Sequence, residues 1–188
     1  MIFEVGKKLY HGSYIAVKKP DLTECKPGKD FGRGFYLTTD VKQAKRFVKS
    51  AVGKAVKNGI TVLNANEGYV SSYEVTAIGG LKIFEFKDAD RQWLHCVAAH
   101  RRSGILKEEL ALWEKYDVIA GKIANDNTNQ VITAYLNGVY GEVGTESADG
   151  IAIGLLMPEK LTDQICLRTE KAMAAIKFAG SEKQTIRL

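Results

Sequence analysis

Asp30-Phe31-Gly32-Arg33-Gly34-Phe35-Tyr36-Leu37-Thr38-Thr39 is the stretch on which the reading of this chain turns. Two glycines one residue apart stand directly before an aromatic, β-prone run. That order permits a left-handed turn, or close backbone approach to a ligand, at the mouth of a strand. Upstream, residues 18–33 hold Pro20, Pro27, Gly28 and Gly32 and read as a loop. Before it, residues 7–17 carry β-branched and aromatic side chains, and the first half of that run reads as a short strand through Tyr10-His11-Gly12-Ser13. Downstream, residues 34–38 read as a strand. Asp40 then caps a helix in which Val41, Ala44, Val48, Ala51, Val52 and Ala55 recur at helical spacing, and Asn58-Gly59 ends it.

The rest of the chain continues the mixture. Residues 69–76 and 81–86 read as strands, 91–102 and 106–115 as helices, and 116–123 as a buried strand. Asn125-Asp126-Asn127-Thr128 offers turn chemistry and a helix start, with the helix running over 129–136 to Asn137-Gly138. Residues 150–156 fit either a strand or a short buried helix. Residues 164–168 are a strand, after which Thr169 caps a final helix through about Lys177. Trp93, Leu94 and Val97 fall on one helix face and are expected in the core.

The bulk numbers frame this. With 188 residues, 45% apolar or aromatic and 26% charged, the chain is expected to form one α+β domain over 1–188. It is long enough to bury a core without staples. Cys25, Cys96 and Cys166 are far apart, and no CxxC, CxxH or HExxH spacing is present, so neither a zinc site nor a disulfide framework is indicated. His95 and His100, five apart on a helix, do not share a face for a metal. There is no basic region followed by an apolar run at the start, and no apolar stretch of about 18 residues. Cytoplasmic placement without membrane contact is the simplest expectation, with export by a route that needs no cleavable signal left open. The net charge of +5 suits a nucleic-acid partner without demanding one. The strip Lys42, Lys45, Arg46 and Lys49 reads as the solvent side of its helix, and Arg91, Arg101 and Arg102 read as a solvated helix end.

An early aromatic-His-Gly strand, then a loop, then Gly-x-Gly-aromatic-Tyr opening a second strand and a helix, resembles the ADP-ribosyltransferase superfamily. The likeness is to the branch with a His-Tyr-Glu signature, which includes diphtheria toxin and the poly-ADP-ribose polymerases. It is closer still to small bacterial proteins assigned to that superfamily, in which Leu-Tyr-His-Gly-Ser, Asp-Phe-Gly-x-Gly-Phe-Tyr-Leu-Thr-Thr and a late Gln-Ile-Cys-aromatic-x-Thr-Glu-Lys-Ala segment recur. Here these are residues 9–13, 30–39 and 164–172. An Ile-Ala-Asn-Asp turn at 123–126 belongs to the same pattern.

The resemblance implies two small, mostly antiparallel sheets around an NAD cleft, with helices packed outside. It implies NAD as a substrate and transfer of ADP-ribose to a protein or nucleic-acid acceptor. His11 would bond the adenosine-side ribose. Tyr36 would offer its ring face to the cationic nicotinamide, worth roughly 0.5–2 kcal/mol. Gly12 would meet the carboxamide through its backbone, with Tyr10 and Ser13 beside it. The loop carrying Asp30, Phe31, Gly32, Arg33 and Gly34 would approach the pyrophosphate, with Arg33 as a charge partner.

The third catalytic position, an acid in the signature, is Gln164 here. Glutamine can accept a hydrogen bond from a ribose hydroxyl, but it neither stabilises an oxocarbenium ion by charge nor acts as a general base. Glu170, Asp126 and Glu142 are the carboxylates that could substitute. Two alternatives follow: a catalytically silent module that keeps the cleft, or an NAD-hydrolysing toxin. An antitoxin or regulatory partner would fit the latter.

Overall fold

Side chains that alternate in and out along the strands, and recur every three to four residues along the helices, sort this chain into four layers. The computed structural model describes residues 2–60, 66–123, 126–156 and 161–186. One sheet holds β1 (Lys8–Ser13), β3 (Glu67–Val75) and β7 (Ile176–Thr185) in the order β1-β3-β7, all antiparallel. The other holds β2 (Phe35–Leu37), β6 (Asp163–Leu167), β5 (Val118–Lys122) and β4 (Ile83–Glu85) in the order β2-β6-β5-β4. Only its β4–β5 pair is parallel. The α+β class and the two mostly antiparallel sheets agree with expectation.

The sheets face each other across a shared core. Leu9, Tyr73 and Val75 from the first pack with Phe35, Leu37, Val118, Ala120, Ile165 and Leu167 from the second. At about 1.5–3 kcal/mol per buried large side chain, this layer is a main source of stability.

Outside the first sheet lies α1 (Val41–Lys57), whose Ala44, Val48 and Val52 cover Val70. Asp40 caps it by accepting from the Lys42 N–H at 2.8 Å. Outside the second sheet lie α2 (Arg91–Arg101), α3 (Lys107–Glu114), α4 (Asp126–Leu136) and α5 (Glu146–Leu156). Trp93, Leu94, Val97, Ile132 and Tyr135 bury there against Ile119 and Cys166. The ambiguous 150–156 run is thus helical: Ala148, Ala152 and Leu156 form its inner stripe.

The C-terminal expectation needs correcting. Thr169 does cap a helix, but α6 (Glu170–Met173) is a single turn. From Ile176 the chain is the ten-residue strand β7, not a helix. Ile176 and Phe178 pack on the inter-sheet core while Lys177 is exposed, and pairing along the whole of β3 outweighs the helix propensity of the Ala-rich turn. Residues 124 and 125 of the expected turn lie outside the described residues, as does the side chain of Asp126.

Candidate functional site

Among the described residues, one backbone bridge links the two sheets. Tyr10 and Thr38 exchange backbone hydrogen bonds, the Tyr10 N–H donating to the Thr38 carbonyl at 2.9 Å and the Thr38 N–H to the Tyr10 carbonyl at 3.0 Å. This bridge brings β1 against β2 and makes a seam, and there His11 meets Tyr36. The His11 Nδ1 lies 2.7 Å from the Tyr36 carbonyl oxygen. A carbonyl can only accept, so Nδ1 carries the proton and the neutral ring leaves Nε2 as a lone-pair acceptor. Burial pushes the His11 pKa down, only partly offset by that bond, and so favours the neutral form.

In an antiparallel strand, alternate residues direct their N–H and C=O to the same side. Tyr10 directs both to β2. Gly12, two residues on, therefore turns its own pair towards the same side, away from β3, just beyond the bridge.

Gly12 also has a structural role. A Cβ there would stand 2.2 Å from the Ala44 carbonyl oxygen, so the helix α1 sits where a side chain would be. Ser13 is buried at the end of β1, opposite Tyr69, and Tyr10 packs on the core under α1.

Along β2, neighbours point to opposite faces. Phe35 packs against the His11 ring, with centroids 4.5 Å apart and the planes tilted by 35°, in the inter-sheet core. Tyr36 faces the helical side, its hydroxyl donating to the Gly32 carbonyl at 2.8 Å and accepting from the Phe31 N–H at 2.9 Å. Burial raises its phenol pKa well above the ordinary value. Gly32 takes φ +80° in this tight loop, and a Cβ there would meet the His100 ring at 2.5 Å. Gly34 lies so close to β6 that a Cβ would stand 2.5 Å from the Cys166 sulfur.

Tyr36 pairs with Cys166 across β2–β6, and Gln164 lies two residues before it on the same face. Gln164 is buried, its Nε2 donating to Asp30 Oδ2 at 2.7 Å. Asp30 is also ion-paired with Arg101. Tyr36, Gln164 and Asp30 are therefore drawn together on the helical side of β2, while the His11 ring lies on its Phe35 side and reaches the Tyr36 backbone.

Other expected residues are placed elsewhere. Arg33 is exposed, and its guanidinium donates to the carbonyls of Leu22 and Cys25. It is anchored to the preceding loop rather than turned to the seam. Glu170 and Glu142 are exposed on α6 and on the turn before α5. A separate pocket of about 310 Å³ lies between that loop, the end of α3 and the start of α6, lined by Arg33, Glu114, Tyr116 and Arg168 among others. It contains none of His11, Tyr36 and Gln164.

Two features lay beyond sequence reasoning. Of the arginines of α2 and its end, Arg91 and Arg102 are exposed as expected, although Arg91 Nε lies 2.7 Å from Asp149 Oδ2, whereas Arg101 turns inward and binds Asp30. His95 has its Nδ1 2.7 Å from Glu109 and its Nε2 2.8 Å from Asp149, tying α2 to α3 and α5. Partners so distant in sequence leave no local spacing to detect. Among the described residues, no group of three or more His, Cys, Asp or Glu side chains is placed to hold a metal, and no helix is long and apolar enough to cross a membrane.

The chain matches the model of a family described as protein of unknown function (DUF3990) over residues 7–178, and it belongs to that family. No curated protein and no solved structure matches it.

Proposed function

We propose that this member of the DUF3990 family has an ADP-ribosyltransferase-like fold, binds NAD at the seam between its sheets, and transfers ADP-ribose to a protein or nucleic-acid acceptor. The observation that carries the reading is the seam itself. His11 and Tyr36, matched on separate motifs 25 positions apart, stand on adjoining strands with the Gly12 backbone pair beside them. The two mostly antiparallel sheets meeting at that seam support the fold.

The chemistry offered there fits the substrate. A neutral His11 with a free Nε2 lone pair takes a donor, and a ribose hydroxyl is one. The Gly12 N–H and C=O form a donor–acceptor pair, which complements a carboxamide. Gln164 adds an acceptor near the ring of Tyr36. In the reaction, the bond between ribose C1′ and the nicotinamide nitrogen breaks, and nicotinamide leaves with the electron pair. The oxocarbenium ion that develops at C1′ is then captured by the acceptor nucleophile, whose proton goes to solvent or to a base on the acceptor. His11 and Gly12 orient the dinucleotide, and the ring of Tyr36 shields the reacting end from water.

Incubation with labelled NAD and cell lysate tests the proposal. Label should enter an acceptor with the wild type and be lost with His11→Ala. Equal behaviour of the two proteins, with no nicotinamide released, would reject it.

One observation favours a second reading. Position 164 is a neutral amide bound to Asp30, so the seam would bind NAD without breaking it. NAD binding without nicotinamide release would select that reading.

A further inference from the structure

The contacts of Gln164 decide what its side chain can offer. Its surface is 5% exposed, and its amide nitrogen donates to Asp30 Oδ2 at 2.7 Å and to the Lys122 carbonyl at 3.2 Å. An amide nitrogen has two N–H groups. Both are engaged here, so the orientation of the amide is fixed and Oε1 is its remaining acceptor. Asp30, 7% exposed, is held in turn. Arg101 Nε donates to its Oδ1 at 2.8 Å, and Arg101 Nη2 stands 2.5 Å from the same oxygen. Arg101 Nη1 donates to Asn129 Oδ1 at 2.7 Å. The glycine loop, α2, α4 and β6 thus meet in one charge-assisted chain of hydrogen bonds.

We propose that Arg101 and Asp30 are positioning residues, which hold the Gln164 amide with its oxygen as the acceptor presented to substrate. The orienting role is a property of the fold; only its catalytic consequence rests on reading the seam as an NAD site. It also sets the residue type. A carboxylate at 164 would stand within hydrogen-bond distance of the Asp30 carboxylate in a buried place, where one of two like charges must take a proton. An acid is therefore not restored at 164 by one substitution. The reciprocal exchange, Asp30→Asn with Gln164→Glu, keeps a donor facing an acceptor and leaves the net charge unchanged.

The test is a double-mutant cycle on the full chain, with Gln164→Glu, Asp30→Asn and the pair. Each single change should lower the folding equilibrium constant roughly ten- to several-hundredfold. The pair should regain at least about tenfold over the product of the two losses. The side-chain NH₂ of Gln164, followed by ¹⁵N NMR, should exchange slowly with solvent in the wild type and quickly in Asp30→Asn. Should Asp30→Asn fail to fold, Arg101→Lys, which keeps the charge but loses the fork, reads the same chain more gently. At saturating NAD, Arg101→Lys should slow nicotinamide release roughly tenfold, with the half-saturating concentration changed less than about threefold.

Additive losses together with an unprotected Gln164 amide would overturn the proposal. Coupling and a protected amide in a protein that neither binds NAD nor releases nicotinamide would uphold the orienting chain and reject the NAD reading instead.

Discussion

Replacing Gly12 by alanine separates the two reasons a glycine can stand in this motif. A Cβ built on Gly12 lies 2.2 Å from the Ala44 carbonyl oxygen and 3.3 Å from Val48 Cγ2. The first is backbone and cannot rotate away. An ordinary carbon–oxygen contact needs about 3.3 Å, so α1 must retreat by roughly 1 Å. That retreat would open a gap along Val48 and Val52, where they cover Val70, and a gap of 0.5–1 Å forfeits about a quarter to a half of each contact's attraction. Overpacking of this kind costs about 1–3 kcal/mol, and a backbone clash belongs at the upper end. For a chain of this size, each kcal/mol shifts the melting temperature by about 2–4 °C, so Gly12→Ala should melt roughly 6–12 °C lower.

Gly53 is the control. It also lies in this layer, on α1, but a Cβ there meets nothing within 4 Å. Gly53→Ala should stabilise by about 0.5–1 kcal/mol through helix propensity. Calorimetry or circular dichroism reads both. If Gly12→Ala melts within about 1 °C of the wild type, the packing argument is wrong.

Three further outcomes follow from the same contacts. His95→Leu removes the ring nitrogens that face Glu109 and Asp149 and should cost about 2–4 kcal/mol in urea unfolding, against a near-neutral change for an exposed residue. Burial lowers the pKa of both His11 and His100 from 6.5, so the folded state binds fewer protons than the unfolded one. Their contribution is complete above about pH 6.5 and is lost as pH falls through the lowered folded values; His11→Gln should show a shallower acid slope. Burial raises all three thiols, Cys166 to about 12 and Cys96 well above 9.0. A thiol reagent at pH 8 should therefore label half-buried Cys25 slowly and the other two only on unfolding, whereas rapid labelling of Cys166 would contradict its burial.

How much was legible follows from how local each signal is. The Asp40 cap, the stripe of α1, the Gly-x-Gly entry to β2 and the buried face of α2 depend on neighbours within a few residues, and they stand where the sequence puts them. Strand β7 has no local signature, because its partner β3 lies about 100 residues away and the residues just before it carry a helix cap and alanines. At the candidate site, the motifs single out His11, Tyr36 and Gln164, whose strands β1, β2 and β6 lie next to one another. They did not foretell that Asp30 turns inward to Arg101, or that Arg33 is tied to the Leu22 and Cys25 carbonyls. The reason Gly12 lacks a side chain was equally hidden, since it concerns a helix that only the fold brings near.

NAD is proposed to lie at the seam between β1 and β2. A crystal structure of the protein soaked with NAD tests it most directly. The carboxamide is expected on the Gly12 N–H and C=O, a ribose hydroxyl on His11 Nε2, and Gln164 Oε1 facing the nicotinamide ribose. NAD bound elsewhere, for instance in the pocket beside Arg33 and Arg168, with the seam left to solvent, would contradict it.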